Sequence, residues 1–312
     1  MTVLMPMRNA SAFVAGAITS ILTQSERDFT FVIIDDGSDD DSLEIAGRLA
    51  DRRVEIIQDG HHRGLASRLN WGLDHADTRF VARMDADDIA APSRLSRQLA
   101  FMEANPQVGI CGSWYIQTEA GSSPAAVRLP LDHESLRATT LFGSPFAHST
   151  VMFDLQQLDA AGLRYSETAT HAEDYDLWER ACTKTTFANI PEYLLFYRHH
   201  PNQVSALYGE QQLKVADGVR MRALHRLGID PTPSEMALHC DYASDRDIAG
   251  PDRLNAARAW LQKLEATARR RGEAEIAAEC ARRARQLKKR IRHSGPALSG
   301  VLGRLGQLLY GT

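Results

Sequence analysis

The sequence predicts an α/β fold: a mainly parallel sheet flanked by helices, followed by a helical C-terminal extension. Three observations carry this. Strand and helix patterns alternate from Val3 to Gln117, as in βα units whose helices cover both faces of a sheet. Phe29–Ile34 is an unbroken apolar, β-branched run, the signature of a strand buried on both faces. From Ala206 onward nearly every segment reads as helix.

The elements follow in order. Val3–Met5 is a short strand ended by Pro6. Ser11 is placed to cap a helix running to about Gln24, with Phe13, Val14, Ala17, Ile18, Ile21 and Leu22 on one face. Phe29–Ile34 is the second strand, Ser42–Ala50 a helix, Val54–Ile57 a strand, Leu65–His75 a helix and Phe80–Met84 a strand. Pro92 opens a helix that ends before Asn105-Pro106. Strand patterns return at Val108–Gln117, Thr150–Phe153 and Leu194–Tyr197, with a helix at Glu173–Cys182.

At 312 residues, 44% hydrophobic and 24% charged, the chain has the composition of a globular protein and not of a disordered or low-complexity one. Met1–Pro6 lacks a basic region followed by an apolar run, so no signal peptide is expected. The four cysteines lie far apart without a CxxC pair, which argues against a zinc ribbon or disulfide framework and for a reducing cytoplasm. The net charge of -4 is unevenly spread: residues 253–312 hold 14 Lys and Arg against 4 Asp and Glu. An acidic body followed by a tail that is basic from about residue 253 suggests two jobs.

Four segments can carry chemistry. Asp35-Asp36-Gly37-Ser38 follows a strand, where ligands of parallel sheets bind. It reads equally as a capped turn. Met84-Asp85-Ala86-Asp87-Asp88 places three carboxylates in four residues at a strand end, which favours a hard divalent cation over surface pairing with Arg83 and Arg94. Glu173-Asp174 opens a helix, either as dipole complement or as general base. His199-His200 point different ways, so one at most is a ligand. Arg68, in the first turn of the helix after Gly64, reads as a phosphate contact or as a solvated helix arginine.

Taken in order, these parts resemble the inverting nucleotide-sugar glycosyltransferases of family 2, with a GT-A fold. The resemblance covers about residues 2–205: Met5-Pro-Met-Arg-Asn9, Ser20-Ile-Leu-Thr-Gln24, Val32-Ile-Ile-Asp-Asp-Gly-Ser38, Arg68-Leu-Asn-Trp-Gly72, Met84–Asp88 as the D-x-D motif, Phe146–Phe153, Glu173–Trp178, and Tyr197–His200 with Ser205 following. It implies transfer of a sugar from a nucleoside-diphosphate donor, UDP by default, to an acceptor hydroxyl, in bacterial cell-surface polysaccharide or glycolipid synthesis. It further implies that Pro6, Arg8, Asp36, Arg68 and Asp85 bind the nucleotide-sugar. Asp87 and His200 would hold Mg²⁺ or Mn²⁺, and Asp174 would be the base, with Glu173 the fallback. Arg8 stands where the family usually has Tyr, so stacking of a phenol on the nucleobase is lost.

The implied organisation is a catalytic domain over 1–205 and a helical region over 206–312. The acceptor is a saccharide, free or lipid-linked. The basic stretches Arg269–Arg271 and Arg282–Arg290 and the apolar side of Leu298–Tyr310 suit peripheral contact with the inner face of a membrane. A helical hairpin packed on the body, its basic face solvated, is the reading placed ahead of membrane contact, and a homodimer interface is a third. No nucleic-acid motif occurs. A sugar-nucleotide pyrophosphorylase is disfavoured because its Gly-rich N-terminal loop is missing. The rival of a different class is a degenerate binding protein whose basic tail contacts membrane or nucleic acid; it is disfavoured because Asp36, Asp85, Asp87 and Asp174 are all present.

Overall fold

The structure is a computed structural model that describes residues 1–201, 203, 207–244, 246, 248 and 250–293. Ser205 and the Leu298–Tyr310 segment lie outside the described residues. Among the described residues nine strands form one sheet: β1 (Thr2–Met7), β2 (Thr30–Asp35), β3 (Val54–Ile57), β4 (Phe80–Arg83), β5 (Ile89–Ala90), β6 (Val108–Glu119), β7 (Ala125–Val127), β8 (Met152–Asp154) and β9 (Thr186–His199). Their order is β3-β2-β1-β4-β8-β6-β9-β5, with β7 on β6. The β3-β2-β1-β4 half is parallel, as is β6 with β9; β8 pairs antiparallel to both β4 and β6 and welds the two halves together.

The helices are α1 (Val14–Leu22), α2 (Ser42–Leu49), α3 (Leu65–Asp74), α4 (Arg94–Ala104), α5 (His133–Thr139), α6 (Leu155–Ala160), α7 (Glu173–Ala181), α8 (Gly209–Arg226), α9 (Pro233–Ala243), α10 (Pro251–Arg270) and α11 (Ala274–His293). One apolar cluster, containing Val3, Met5, Ile18, Phe31 and Leu95, lies on one side of the sheet; another, with Leu4, Ile34, Leu69, Phe153 and Trp178, lies on the other. Alternate residues of β1 and β2 feed opposite clusters, as the two-residue period of a strand requires.

Pro6 sits inside β1 without breaking the sheet. The Leu4 carbonyl accepts from Met84 on the β4 side and the Met7 carbonyl accepts from Asp36 on the β2 side. By alternation Pro6 faces the β4 side, past Leu4, the last residue of β1 paired with β4, where its missing N–H costs no ladder bond. In β9 the register jumps between Ser113↔Ile190 and Trp114↔Tyr193. Pro191 and Glu192 are thus bulged out, which hides the first half of this strand from a reading by periodicity.

Two helix starts differ from expectation. Helix α1 begins at Val14 with Phe13 at its N-cap and no side-chain cap; the Ser11 N–H instead donates to Asp40 Oδ2 at 3.0 Å. Helix α4 begins at Arg94, and the Pro92 carbonyl accepts from Ser25 at 2.8 Å.

The C-terminal helices share a core with the body. Leu224, Leu227, Trp260, Leu261, Leu264 and Cys280 pack with Ala138, Leu141 and Phe142 from the end of α5 and its following turn. Among the described residues no helix is long and apolar enough to cross a membrane.

Gly72 sets the approach of α3 to β1: a Cβ there would lie 2.3 Å from Leu4 Cδ1, and Leu4 is buried. Gly72→Ala gains about 1 kcal/mol of helix propensity but overpacks the core, which costs about 1–3 kcal/mol or more at so short a distance. A Cβ at Gly47 on α2 would meet nothing within 4 Å, so Gly47→Ala keeps the propensity gain. Urea titrations are expected to show the first variant less stable than wild type and the second more stable.

Candidate functional site

The carboxyl end of β4 runs into the acidic turn. Ligand oxygens of Asp85, Asp87 and Asp88 all lie within 4.8 Å of one another. Each is held differently. Asp85 Oδ2 accepts from Ser149 Oγ at 2.5 Å and from the Arg83 guanidinium. Asp87 Oδ2 is 3.0 Å from His200 Nε2. Asp88 Oδ1 accepts from the Arg198 N–H at 3.0 Å, while its Oδ2 is buried without a partner among the described residues. Burial, reinforced by the negative charges of Asp87 and Asp85, pushes the Asp88 carboxyl well above its usual range. A partnerless buried carboxylate oxygen inside an acidic cluster, with a His nitrogen facing the same cluster, is a donor set that fits a hard divalent cation.

His200 stacks on Phe13 with ring centroids 4.3 Å apart, and its Nδ1 is buried without a partner among the described residues. His199 turns away, its Nε2 lying 2.6 Å from Gln117 Nε2. Arg198, near the end of β9, donates to the Asp87 carbonyl and to the Phe13 carbonyl, the latter at 3.2 Å. It thereby ties the turn to the start of α1.

Behind the turn lies a buried scaffold. Arg94 is fully buried, not surface-paired: its guanidinium donates to Gln98 Oε1 at 3.0 Å and to the Arg83 carbonyl at 2.7 Å. Burial, with repulsion from Arg83, lowers its pKa to about 9. Gln24 bonds the Ala91 carbonyl at 2.7 Å and the Leu95 N–H at 3.0 Å, and Ser20 Oγ accepts from Ala90 at 3.1 Å. The Ser20-Ile-Leu-Thr-Gln24 segment thus holds β5 and the start of α4 in place.

At the end of β2, Asp36 is buried and both its oxygens are engaged. They accept from the Arg63 N–H at 2.7 Å, the Gly64 N–H at 3.0 Å and Arg68 Nε at 2.8 Å, and lie 2.7 Å from His62 Nδ1. Burial alone would raise its pKa; the bonds from Arg63, Arg68 and His62 outweigh it and hold the carboxyl below its ordinary value. Arg68 is neither solvated nor turned to an open face. It is 4% exposed and bridges Asp36 and Asp59, the latter at 2.7 Å. Arg8 is exposed, with its Nη1 3.3 Å from His62 Nε2. Gly37, at φ +74°, approaches this loop so closely that a Cβ would lie 3.0 Å from the His61–His62 backbone, so only glycine fits.

The third part is the start of α7. Glu173 is 7% exposed and Asp174 half-buried. Asp174 Oδ2 lies 3.4 Å from Ser144 Oγ. Burial and the neighbouring Asp174 raise the Glu173 pKa to about 7, and burial raises that of Asp174. The charges of Arg83, Asp174, Glu173 and Asp85 all act on the buried Tyr165 phenol, which is 2.7 Å from His148 Nε2. The Arg83 and Asp85 charges also act on Glu173 and Asp174, so the acidic turn and the start of α7 lie within electrostatic reach of each other.

Farther along α7, Arg222 on α8 bonds Asp176 at 2.5 Å and Glu179 at 3.3 Å, and Arg226 pairs with Glu179. The C-terminal helices thus grip the helix that carries Glu173 and Asp174.

A native Glu173 pKa near 7, against 4.5 unfolded, means the folded state binds the extra proton between these values. Wild-type stability therefore falls as pH rises from about 4.5 to about 7, by on the order of 3 kcal/mol. Glu173→Gln is expected to lack this loss, so its melting temperature relative to wild type should be higher at pH 8 than at pH 5.

Sequence reasoning missed Ser149, Arg198 and His62. Ser149 and Arg198 sit inside segments already singled out, Phe146–Phe153 and Tyr197–His200, so position in those motifs could have found them. His62 carries no local signal.

Residues 2–153 match the family described as Glycosyl transferase family 2. The chain is 32% identical over 222 residues to the O-antigen biosynthesis glycosyltransferase WbnJ of Escherichia coli, a match covering 66% of this chain and 83% of that one. Its fold is that of S. aureus TarS 1-349 in complex with UDP-GlcNAc, with a TM-score of 0.61 at 17% identity over 94% of this chain and 91% of that one. It is also that of the mannosyltransferase PcManGT from Pyrobaculum calidifontis in complex with GDP-Man and Mn²⁺, with a TM-score of 0.55 at 19% identity over 93% and 82%.

Proposed function

This chain belongs to glycosyl transferase family 2, and on that premise we propose that it transfers a sugar from a UDP-sugar to a saccharide hydroxyl with inversion, in the synthesis of a surface polysaccharide. The observation that carries the reading is the acidic turn, with its buried partnerless oxygen and His200 facing it, within electrostatic reach of the Glu173–Asp174 pair. The relative in O-antigen synthesis and the fold neighbours with bound UDP-GlcNAc and GDP-Man support it.

In this reading Asp87 and His200 hold Mg²⁺ or Mn²⁺, with Asp88 facing the same cluster. The ion, when bound, supplies positive charge against the negative charge that develops on the departing diphosphate. Asp85, fixed by Arg83 and Ser149, binds the donor. Pro6, near the carboxyl end of β1, contacts the nucleotide, and Arg8 reaches it from the exposed loop. Asp36 and Arg68 act by bracing the 59–64 loop that borders the base, since their polar atoms are already engaged with it. Asp174, the more exposed of the two carboxylates, accepts the proton of the attacking hydroxyl. A single displacement by that hydroxyl on C1 inverts the anomeric centre, and no covalent nucleophile is needed.

We assign the catalytic unit to residues 1–205 and the helical extension to 206–312. The exposed Arg285 and Lys288 on α11 would draw the protein to the cytoplasmic face of an anionic membrane, where a lipid-linked acceptor resides.

The test is a thermal-shift panel of UDP, GDP, dTDP and CMP, each with and without Mn²⁺ or Mg²⁺. A ligand at 100 times its Kd adds about 2.7 kcal/mol to the folded state. The expected result is a metal-dependent rise for UDP alone. A rise for GDP alone would change the donor class. No rise for any nucleotide would overturn the reading in favour of a binding protein with a degenerate site.

A further inference from the structure

The geometry points to an acceptor subsite formed by Tyr208, His171 and Leu207 at the mouth of the Glu173–Asp174 turn, which takes a saccharide ring by stacking. The inference rests on the reading of Asp174 as the base and adds to it where the acceptor sits.

The rings of His171 and Tyr208 stack face to face, with centroids 4.3 Å apart and planes 10° from parallel. Tyr208 remains 46% exposed and the adjoining Leu207 59%. Single exposed apolar side chains need no explanation. Here two of the large ones adjoin each other, and one is already stacked on a residue two positions before Glu173.

The chain holds this arrangement by two means. Ala172 and Tyr175 on the α7 side pack with Ala216 and Val219 on α8, so Tyr208, the N-cap of α8, is carried to the beginning of α7. His171 adopts φ +69°, a left-handed conformation unfavourable for a residue with a Cβ. Such strain in a folded chain gathers at functional sites. Burial lowers the His171 pKa below its usual value, so near neutral pH the ring meets the phenol uncharged.

A pyranose has a face of C–H groups and a rim of hydroxyls. An aromatic plane accepts the face, leaving the rim free to reach a carboxylate. A tyrosine does this at small entropic cost because few torsions are frozen. Glu173 and Asp174 follow His171 by two and three positions at the start of α7, and the negative charge of ionised Asp174 favours a neutral sugar ring over a phosphate as the occupant.

The experiment uses the full chain on an array of immobilised mono- to tetrasaccharides, with wild type, Tyr208→Ala, Tyr208→Phe and His171→Gly. Retention of at least one saccharide by wild type is expected. It should fall about tenfold in Tyr208→Ala and survive in Tyr208→Phe. His171→Gly relieves the backbone strain while removing the lower ring, so it should lose retention without losing thermal stability, which keeps the test valid if Tyr208→Ala folds poorly. Anionic phospholipid vesicles are run in parallel. Equal retention by wild type and the Ala and Gly variants, or no saccharide retained by wild type, overturns the proposal. Vesicle binding that falls with Tyr208→Ala while saccharide retention does not would make the patch a membrane contact and also overturn it. Nucleotide thermal shifts of the same variants separate the two readings: their absence in wild type, with Tyr208-dependent saccharide retention intact, removes the donor reading and leaves the platform standing.

Discussion

Asp174→Asn is expected to lower the rate of sugar transfer by about 10²–10⁴-fold, the usual contribution of a positioned general base, while nucleotide binding stays as in wild type. The amide keeps the shape and the contact with Ser144 Oγ but cannot take a proton. Glu173→Gln removes the more buried neighbour and tests the assignment from the other side. With Asp174 as base, Glu173→Gln replaces a carboxyl that burial and the Asp174 charge raise to about 7, so it is mostly uncharged where Asp174 ionises. Its activity should survive, and the acidic limb of its pH–rate profile should stay close to that of wild type. In wild type, burial raises the Asp174 pKa, so kcat/KM should climb as pH rises through a value above the ordinary aspartate range and then level off. A Glu173→Gln variant as inactive as Asp174→Asn would move the base to Glu173. Steady-state rates from pH 5 to 9, with released nucleotide as readout, decide between the two.

Asp87→Ala should abolish the metal-dependent part of the nucleotide thermal shift and reduce transfer by about 10²–10³-fold, comparable with removing one preorganised electrostatic contact from an active site. Asp87 is the carboxylate of the cluster that faces His200 at 3.0 Å and, among the described residues, bonds no arginine side chain, whereas Asp85 is bound to Arg83. Truncating it therefore removes a ligand without freeing a buried cation. His200→Ala should weaken metal binding in the same direction. If the Asp87→Ala chain still shows a full metal-dependent shift, the ion is held elsewhere, and the partnerless Asp88 oxygen is the next residue to change.

Much of this site can be read from the chain because strand ends are local. Phe29–Ile34 and Phe80–Met84 announce themselves as strands, and the residues just after each, Asp36 or Asp85–Asp88, must lie at one edge of a parallel sheet. The order of these segments, with Glu173–Asp174 and His199–His200 after them, suffices to mark the family and the parts of its site. What periodicity leaves out is equally physical. Strand β5 has two residues and β7 three, too short for an alternation to show, and Pro191 interrupts β9.

Which polar atoms are free for a ligand depends on partners far apart in the chain. Arg68 and Asp36 are 32 positions apart, His200 and Asp87 113, Arg198 and Asp88 110. The same residue type ends in opposite states: Arg8 exposed, Arg68 consumed by two carboxylates, Arg94 fully buried against backbone carbonyls. Residue identity and local pattern settle the strands, the turns and the charges available at their ends. Burial and pairing are properties of two segments at once, so only the folded chain selects the carboxylate left without a partner, turns one histidine to the acidic turn, and brings α8 against α7.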